Sequence, residues 1–397
     1  MLFSTKRSDG KTVNLTTLIL MMTSSSGDQW KPSKLKSPQQ KLIKEGDHHM
    51  RFYTISHKHY CGIDLHTKMM YVCILDSDAN ILIHKNIPTN GKAFLKLIAP
   101  YREDIVVGVE CMFSWYWLAD LCAKEGIEFI LGHALYMRCI HGGKAKNDRV
   151  DSEKIARIMR GGDFPLAYAY PAELRPVRDL MRRRSHLVRI KSEIQSHISI
   201  TNYQYNLEPF DKNIVHKGNR EGIADHFDNA SVRLNVETDI AVMDSLHDQI
   251  RNLENYIIRH AKDYDGRMLY RLKTVPGIGD ILALTIMYEI LSIDRFPTVQ
   301  KFCSYSRLVK CANESAGKKM GTSGSKIGNA HLKWAFSEAA ILFIRGNDKA
   351  QKYVTKLSKK FGKGKALSIL SHKLGRAIYF MMKRNDVFDM NYFFRNS

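Results

Sequence analysis

Between Tyr60 and Met159 the spacing of apolar residues changes character, and that change limits the chain to few architectures. In YCGIDLH (60–66), Cys61, Ile63 and Leu65 alternate with Gly62, Asp64 and His66, the period of a half-buried strand. MMYVCILD (69–76) predicts a second strand, DSDAN (76–80) is turn chemistry, and ILIHKNI (81–87) predicts a third. Short connections make these an antiparallel meander. After Gly91 the period lengthens: Ala93, Leu95, Leu97 and Ile98 predict a helix. IVVGVE (105–110) and IEFIL (127–131) are short, nearly all-apolar runs of the kind buried on both faces. A helix is predicted over 115–124 between them. Another is predicted over 150–159, with Val150, Ile155, Ile158 and Met159 as its apolar side.

The order β-β-β-α-β-α-β-α is that of a ribonuclease-H-like α/β fold. Beyond this unit the chain is expected to be all-α. Leu180, Leu187, Ile190, Ile194 and Ile198 mark one basic helix over 174–198. Val236, Ile240, Met243, Leu246, Ile250, Leu253 and Ile257 mark a second. The two predict an antiparallel coiled-coil hairpin, packing on itself or on another subunit, around a polar and irregular stretch at 203–233. A separate helical domain opens at TVPGIGDILALTIMYEI (274–290), and a lysine-rich helical tail covers 349–383. The domains expected are a disordered N-terminal extension (1–58), the α/β unit (59–165), the hairpin (172–265) and a C-terminal helical domain (270–397). Met50 offers an alternative start to the chain.

A formal net charge of +21 calls for an anionic partner, and nucleic acid is the first choice. A membrane is the weaker one, since no apolar run approaches the roughly 20 residues a spanning helix needs. The seven cysteines form no CxxC pair, which fits a reducing cytoplasm and speaks against both disulfides and zinc.

Against this positive background four carboxylates stand out. Asp64 lies midway along the first strand, Glu110 ends the strand IVVGVE, and Asp148 and Asp151 open the last helix of the unit. In a ribonuclease-H-like sheet the first and fourth strands are neighbours and the last helix abuts their ends, so all four can converge. Converging carboxylates repel unless a cation joins them, and hard oxygen ligands select Mg2+, or Mn2+, over zinc. Such ions can activate one oxygen on phosphorus and stabilise another. Lys144, Lys146 and Arg149 flank the pair and fit a phosphate backbone. Singly, each acid has a plainer reading: Asp64 as a solvent-facing strand residue, Asp151 as a helix N-cap, Glu110 as the partner of a nearby base.

GIDLHTK (62–68), VGVE (107–110) and KNDRVDSEKIA (146–156) resemble the motifs of insertion-sequence transposases of the "IS one-ten" family, which have an N-terminal RuvC-like DEDD domain. TVPGIGDILALTIMYEI and the block from Phe302 to Ala340 resemble that family's second half. The resemblance covers roughly 60–345. It implies recombination of double-stranded DNA guided by a structured non-coding RNA, with Asp64, Glu110, Asp148 and Asp151 as the metal-binding tetrad. It also implies a serine nucleophile, matched by Ser315 in NESAGKKMG (313–321); Ser323 and Ser325 are its rivals. A phosphoserine link would conserve bond energy for resealing. Composite sites in a homo-oligomer, and a bacterial, nucleoid-associated location, go with this reading.

The remaining expected nucleic-acid contacts are Arg182, Arg183, Arg184, Lys318, Lys319 and Lys326, together with Gly277 and Gly279. The glycines sit in VPGIG (275–279), a Gly-x-Gly turn before a helix that can offer backbone N–H groups to phosphate. Two alternatives remain open at the level of sequence: a metal-dependent junction resolvase that cleaves with water, and a non-catalytic basic nucleic-acid-binding protein.

Overall fold

The computed structural model describes residues 51–140, 147–261, 264–315, 317–323 and 327–395. Its first strand, β1 (Phe52–Tyr53), falls inside the stretch expected to be disordered, and it pairs with β7 (Phe164–Pro165). Side-chain burial explains this: Tyr53 is sealed in the core and its hydroxyl donates to Glu128 at 2.8 Å.

The central sheet has five strands: β2 (His59–Leu65), β3 (Met69–Asp76), β4 (Ile81–Pro88), β5 (Ile105–Glu110) and β6 (Glu128–Gly132). Their spatial order is β4-β3-β2-β5-β6. The first three form an antiparallel meander, while β2–β5 and β5–β6 are parallel. One face is covered by α1 (Gly91–Ile98) and α2 (Tyr116–Lys124), whose Phe94, Ile98, Leu118 and Cys122 pack on Ile63, Val107 and Val109. A short helix the periodicity did not suggest, α3 (Ala134–Ile140), comes after β6.

The other face belongs to α4 (Asp148–Gly161). Ile155, Ala156 and Met159 share a core there with Tyr60, Cys73 and Val106. Close approach is possible because the two strands beneath carry glycine side by side: Gly62 registers with Gly108. A Cβ on Gly62 would lie 2.3 Å from the Ser152 carbonyl oxygen and 2.4 Å from the Ala156 nitrogen. One on Gly108 would lie 2.1 Å from the Met159 sulfur.

Two long helices come next, α5 (Arg175–Gln204) and α6 (Ala230–Ala261). They run antiparallel: Arg184 pairs with Glu254 at 2.6 Å and His197 with Asp239 at 2.5 Å, so partners rise on one helix as they fall on the other. Every apolar position expected in the seam is buried or half-buried. The stretch at 203–233 is better built than expected. Ile214, Ala224 and Phe227 join Ile198, Val236 and Met243 in a small core of their own. Arg220, buried beside them, pairs with Asp244 and donates to the carbonyls of Ile214 and Val215. Its irregular backbone hid an apolar set with no fixed period.

The rest of the chain shares one core built around α8 (Asp280–Ile290), buried from Leu282 onward, and α10 (Ala330–Ile344). Around them lie α7 (Gly266–Lys273), α9 (Val299–Tyr305), α11 (Asp348–Phe361), α12 (Lys363–Arg384) and α13 (Met390–Phe394). The expected basic tail is part of this core: Ala366, Leu370, Leu374 and Ile378 are fully buried, while Phe361 is exposed. The region is also not purely helical. Cys311–Ser315 (β8) and Lys318–Ser323 (β9) form an antiparallel hairpin. Glycines and lysines masked its strand character. Among the described residues no helix is long and apolar enough to cross a membrane.

Glu289 in α8 is 3% exposed and ion-paired to Arg178 and Arg182 of α5 at 3.1 and 2.7 Å. Burial raises its carboxyl, but the hydrogen bond from Arg182, the two guanidinium charges and a bond from Asn329 outweigh burial and bring it down to about 2. With the folded value below the ordinary 4.5, the contribution is complete above that pH and is lost as pH falls toward about 2.

Gly62→Ala should destabilise the α/β unit by about 3 kcal/mol, while Gly218→Ala, where added carbon meets open space, should stay within about 0.5 kcal/mol. Denaturant midpoints of the two variants check this. Acidification through the window from 4.5 to about 2 should remove about 3 kcal/mol that Glu289→Gln never had, read as a smaller acid-induced loss in the variant by urea unfolding across that range.

Candidate active site

The register of β2 against β5 sets the first two acids. Ile63 lies opposite Val109, so the next positions, Asp64, one residue before the end of β2, and Glu110, the last of β5, are neighbours on the face that α4 covers. Both side chains are half-buried. The start of α4 brings the other two. Asn147 is the N-cap, its side chain accepting from the Val150 amide, so neither aspartate is spent on capping. Ser152 presses on Gly62, and the turn before it projects past the strand toward Asp64.

Asp64, His66 and Asp148 are thereby gathered, with one donor atom from each within 4.8 Å of the others. His66 Nε2 stands 3.4 Å from Asp64 Oδ2 and 3.6 Å from Asp148 Oδ1. Burial raises the Asp64 carboxyl; His66 opposes that rise, and the charges of Asp148 and Asp151 add to it. Asp151 is thus an electrostatic neighbour of Asp64, and its carboxylate also sits 3.8 Å from Lys154. The donor set of two carboxylates and an imidazole suits a divalent cation of the hard-to-borderline class. His66 was missing from the expected ligands. Its signal was present, because alternation puts it on the Asp64 face two residues on.

The expected phosphate contacts separate into groups. Arg149 leans on His84, whose ring also bonds the Arg149 carbonyl oxygen at 2.9 Å. Arg182 and Arg184 are engaged by Glu289 and Glu254, and Arg183 is exposed. Gly277, at φ +81°, packs against the α10 backbone, where a Cβ would lie 2.7 Å from Phe343 N. Gly279 caps α8 with open space beside it, but Asp280 and Lys273, 2.6 Å apart, already occupy that helix end. Lys144, Lys146, Lys326 and the rival Ser325 lie outside the described residues.

Ser315 closes β8 and registers opposite Lys318, the first residue of β9, so the connection between them is two residues long. Gly317 takes φ +73°, a value that suits glycine in so tight a turn. Lys318 is exposed at this tip, and Lys319 follows it in β9 opposite Glu314. The rival Ser323 lies at the other end of the hairpin, opposite Cys311.

A comparison with curated proteins returns no match. Two family models do match. One, for DEDD-type IS110 transposases and described as "Transposase", spans residues 61–199, which contain all four acids. The other, described as "Transposase IS116/IS110/IS902 family", spans 269–355, which contain the β8–β9 hairpin. With both halves present in order, and a mixed five-stranded sheet and helical C-terminal region to match, the chain belongs to the IS110 family of transposases, enzymes that recombine DNA.

Proposed function

We propose that this transposase cuts and rejoins DNA through a RuvC-like metal site on Asp64, Glu110, Asp148 and Asp151, with Ser315 as the nucleophile. The observation that carries the reading is the meeting of Asp64 and Asp148, from a strand and a distant helix, beside His66. Asp64 and Asp148 supply the closest oxygen donors, and Glu110 and Asp151 complete the charge around them. Magnesium or manganese, when bound, would supply the positive charge that neutralises a phosphate, making its phosphorus easier to attack and its departing oxygen a better leaving group. His66 adds a nitrogen donor, which hard magnesium takes less readily than manganese.

In the serine step the Oγ of Ser315 attacks phosphorus. The Oγ–P bond forms as the bond from phosphorus to one strand's sugar oxygen breaks. The hydroxyl proton leaves to a base, and the departing strand takes one up. A hydroxyl from a second strand reverses the step and reseals the backbone with no external energy source. Exposed Lys318 at the hairpin tip offers charge to the phosphate. The surplus of +21 is spread widely enough to hold both duplex DNA and a structured guide RNA, which would supply sequence choice. The paired helices α5 and α6 suit assembly of a homo-oligomer in which acids and serine come from different copies.

Ser315→Ala should abolish the covalent protein–DNA adduct while Asp64→Asn reduces it by at least about 1,000-fold. The adduct is trapped on DNA carrying the element ends that flank the gene and mapped by peptide mass spectrometry. Cleavage that survives Ser315→Ala but not Asp64→Asn would establish the water-using nuclease instead. Affinity for duplex DNA should fall by about 1,000-fold or more between roughly 50 and 200 mM salt, measured by fluorescence anisotropy.

A further inference from the structure

Three residues beyond Glu110 stands Phe113, which neither the acidic site nor the serine step uses. It is 78% exposed, the most open of the large apolar side chains among the described residues. Its neighbour Met112 is 44% exposed. A single apolar residue in water is ordinary. What distinguishes Phe113 is its mounting and its place.

The loop that carries the ring is tied down on both sides. The Cys111 amide donates to the Gly132 carbonyl at 2.9 Å, and the Met112 amide to the Glu110 carbonyl at 2.8 Å. Beyond Phe113, Ser114 Oγ donates to the Leu65 carbonyl at 3.1 Å. Trp115 then returns to the core, stacked on Phe129 and with the Arg175 guanidinium over its ring. Leu65 follows Asp64 and Cys111 follows Glu110, so the loop bridges the acid-bearing ends of β2 and β5. At most about 11 Å of extended chain separates Phe113 from Glu110, roughly three base steps of DNA. Backbone connection places the ring beside the acids of its own chain, and that holds whichever copy supplies the serine.

The chemistry of the loop selects what it meets. The chain has 61 Lys and Arg, yet Cys111, Met112, Phe113 and Ser114 include none of them. A ring face and a thioether suit a nucleobase rather than a phosphate, and a base offers its face once it leaves its stack. Strands that are cut and rejoined to new partners must unpair beside the break. Stacking an aromatic side chain on a freed base is worth a factor of about 5 to 150.

We infer that Phe113 is a wedge for the recombination reaction: it stacks on the base next to the phosphate held at the acids and keeps that base out of its pair. This rests on the reading of Asp64 and Glu110 as part of the site that holds the phosphate. Phe113 makes and breaks no bond.

The test uses the full chain, the gene's flanking DNA with the element ends, and RNA transcribed from the same flank. The cut phosphate is mapped first with the wild type. Phe113→Ala should slow single-turnover adduct formation on intact duplex by about tenfold or more, while Phe113→Trp stays within about threefold of the wild type. An abasic site in the complementary strand unpairs a base flanking the cut in advance. On a duplex so prepared on one side or the other, Phe113→Ala should recover to within about threefold of the wild type. 2-Aminopurine at the same base should brighten on binding to the Ser315→Ala chain and stay dim once Phe113→Ala is added, a readout that needs no cleavage. An unchanged adduct rate, a loss that neither abasic duplex relieves, or equal brightening with and without the ring would each overturn the inference. So would a smaller assembly for Phe113→Ala by light scattering, which would make the ring a contact between copies. Adduct formation that survives Asp64→Asn overturns the acidic-site reading instead, and the 2-aminopurine signal still decides the wedge.

Discussion

The arrangement of this molecule depends on how closely one helix lies on one sheet. With any side chain at Gly62, α4 would have to retreat from the strand beneath it, because the contact there is with the helix backbone. Asp148 and Asp151 would retreat with it, because they occupy the first turn of that helix. Asp64 and Asp148, more than eighty residues apart in sequence, meet because a backbone-to-backbone contact one turn away leaves no room for them to be elsewhere. Burial raises the Asp64 carboxyl, and the charges of Asp148 and Asp151 add to that rise against the opposing His66. Acids held together against their own charge are a site prepared for a cation.

The second constraint is the buried charge cluster around Glu289. Its ion pairs join α5 to α8, and its bond to Asn329 reaches the N-cap of α10. Tyr170 seals the same junction by donating to the Glu289 carbonyl at 2.9 Å, with the Arg178 guanidinium 3.6 Å above its ring.

Much of the α/β unit was legible in the sequence because each strand carries its environment in its pattern. The first strand alternates, while IVVGVE and IEFIL are nearly all apolar and largely buried. The placement of the acids came from that order. His66 was equally legible, sharing its face with Asp64, but a lone imidazole stands out less than four expected carboxylates. The β8–β9 hairpin was not legible: its strands hold Gly, Lys, Ser and Asn, and pairing rather than hydrophobic period defines them. The 203–233 segment failed for the same reason, since Ile214 and Phe227 reach the tip core from irregular backbone. Arg182 and Arg184 read as phosphate contacts because a sequence shows charge but not the buried or half-buried carboxylates across from it.

Calorimetric titration of the metal-free protein with Mn2+ tests the central claim most directly, since it needs neither DNA nor RNA. A site built by the contact between α4 and the sheet should bind the ion in the wild type, lose it in Asp64→Asn and in Asp148→Ala, and weaken it in Gly62→Ala, which alters no ligand. Equal binding by all four proteins would contradict the account.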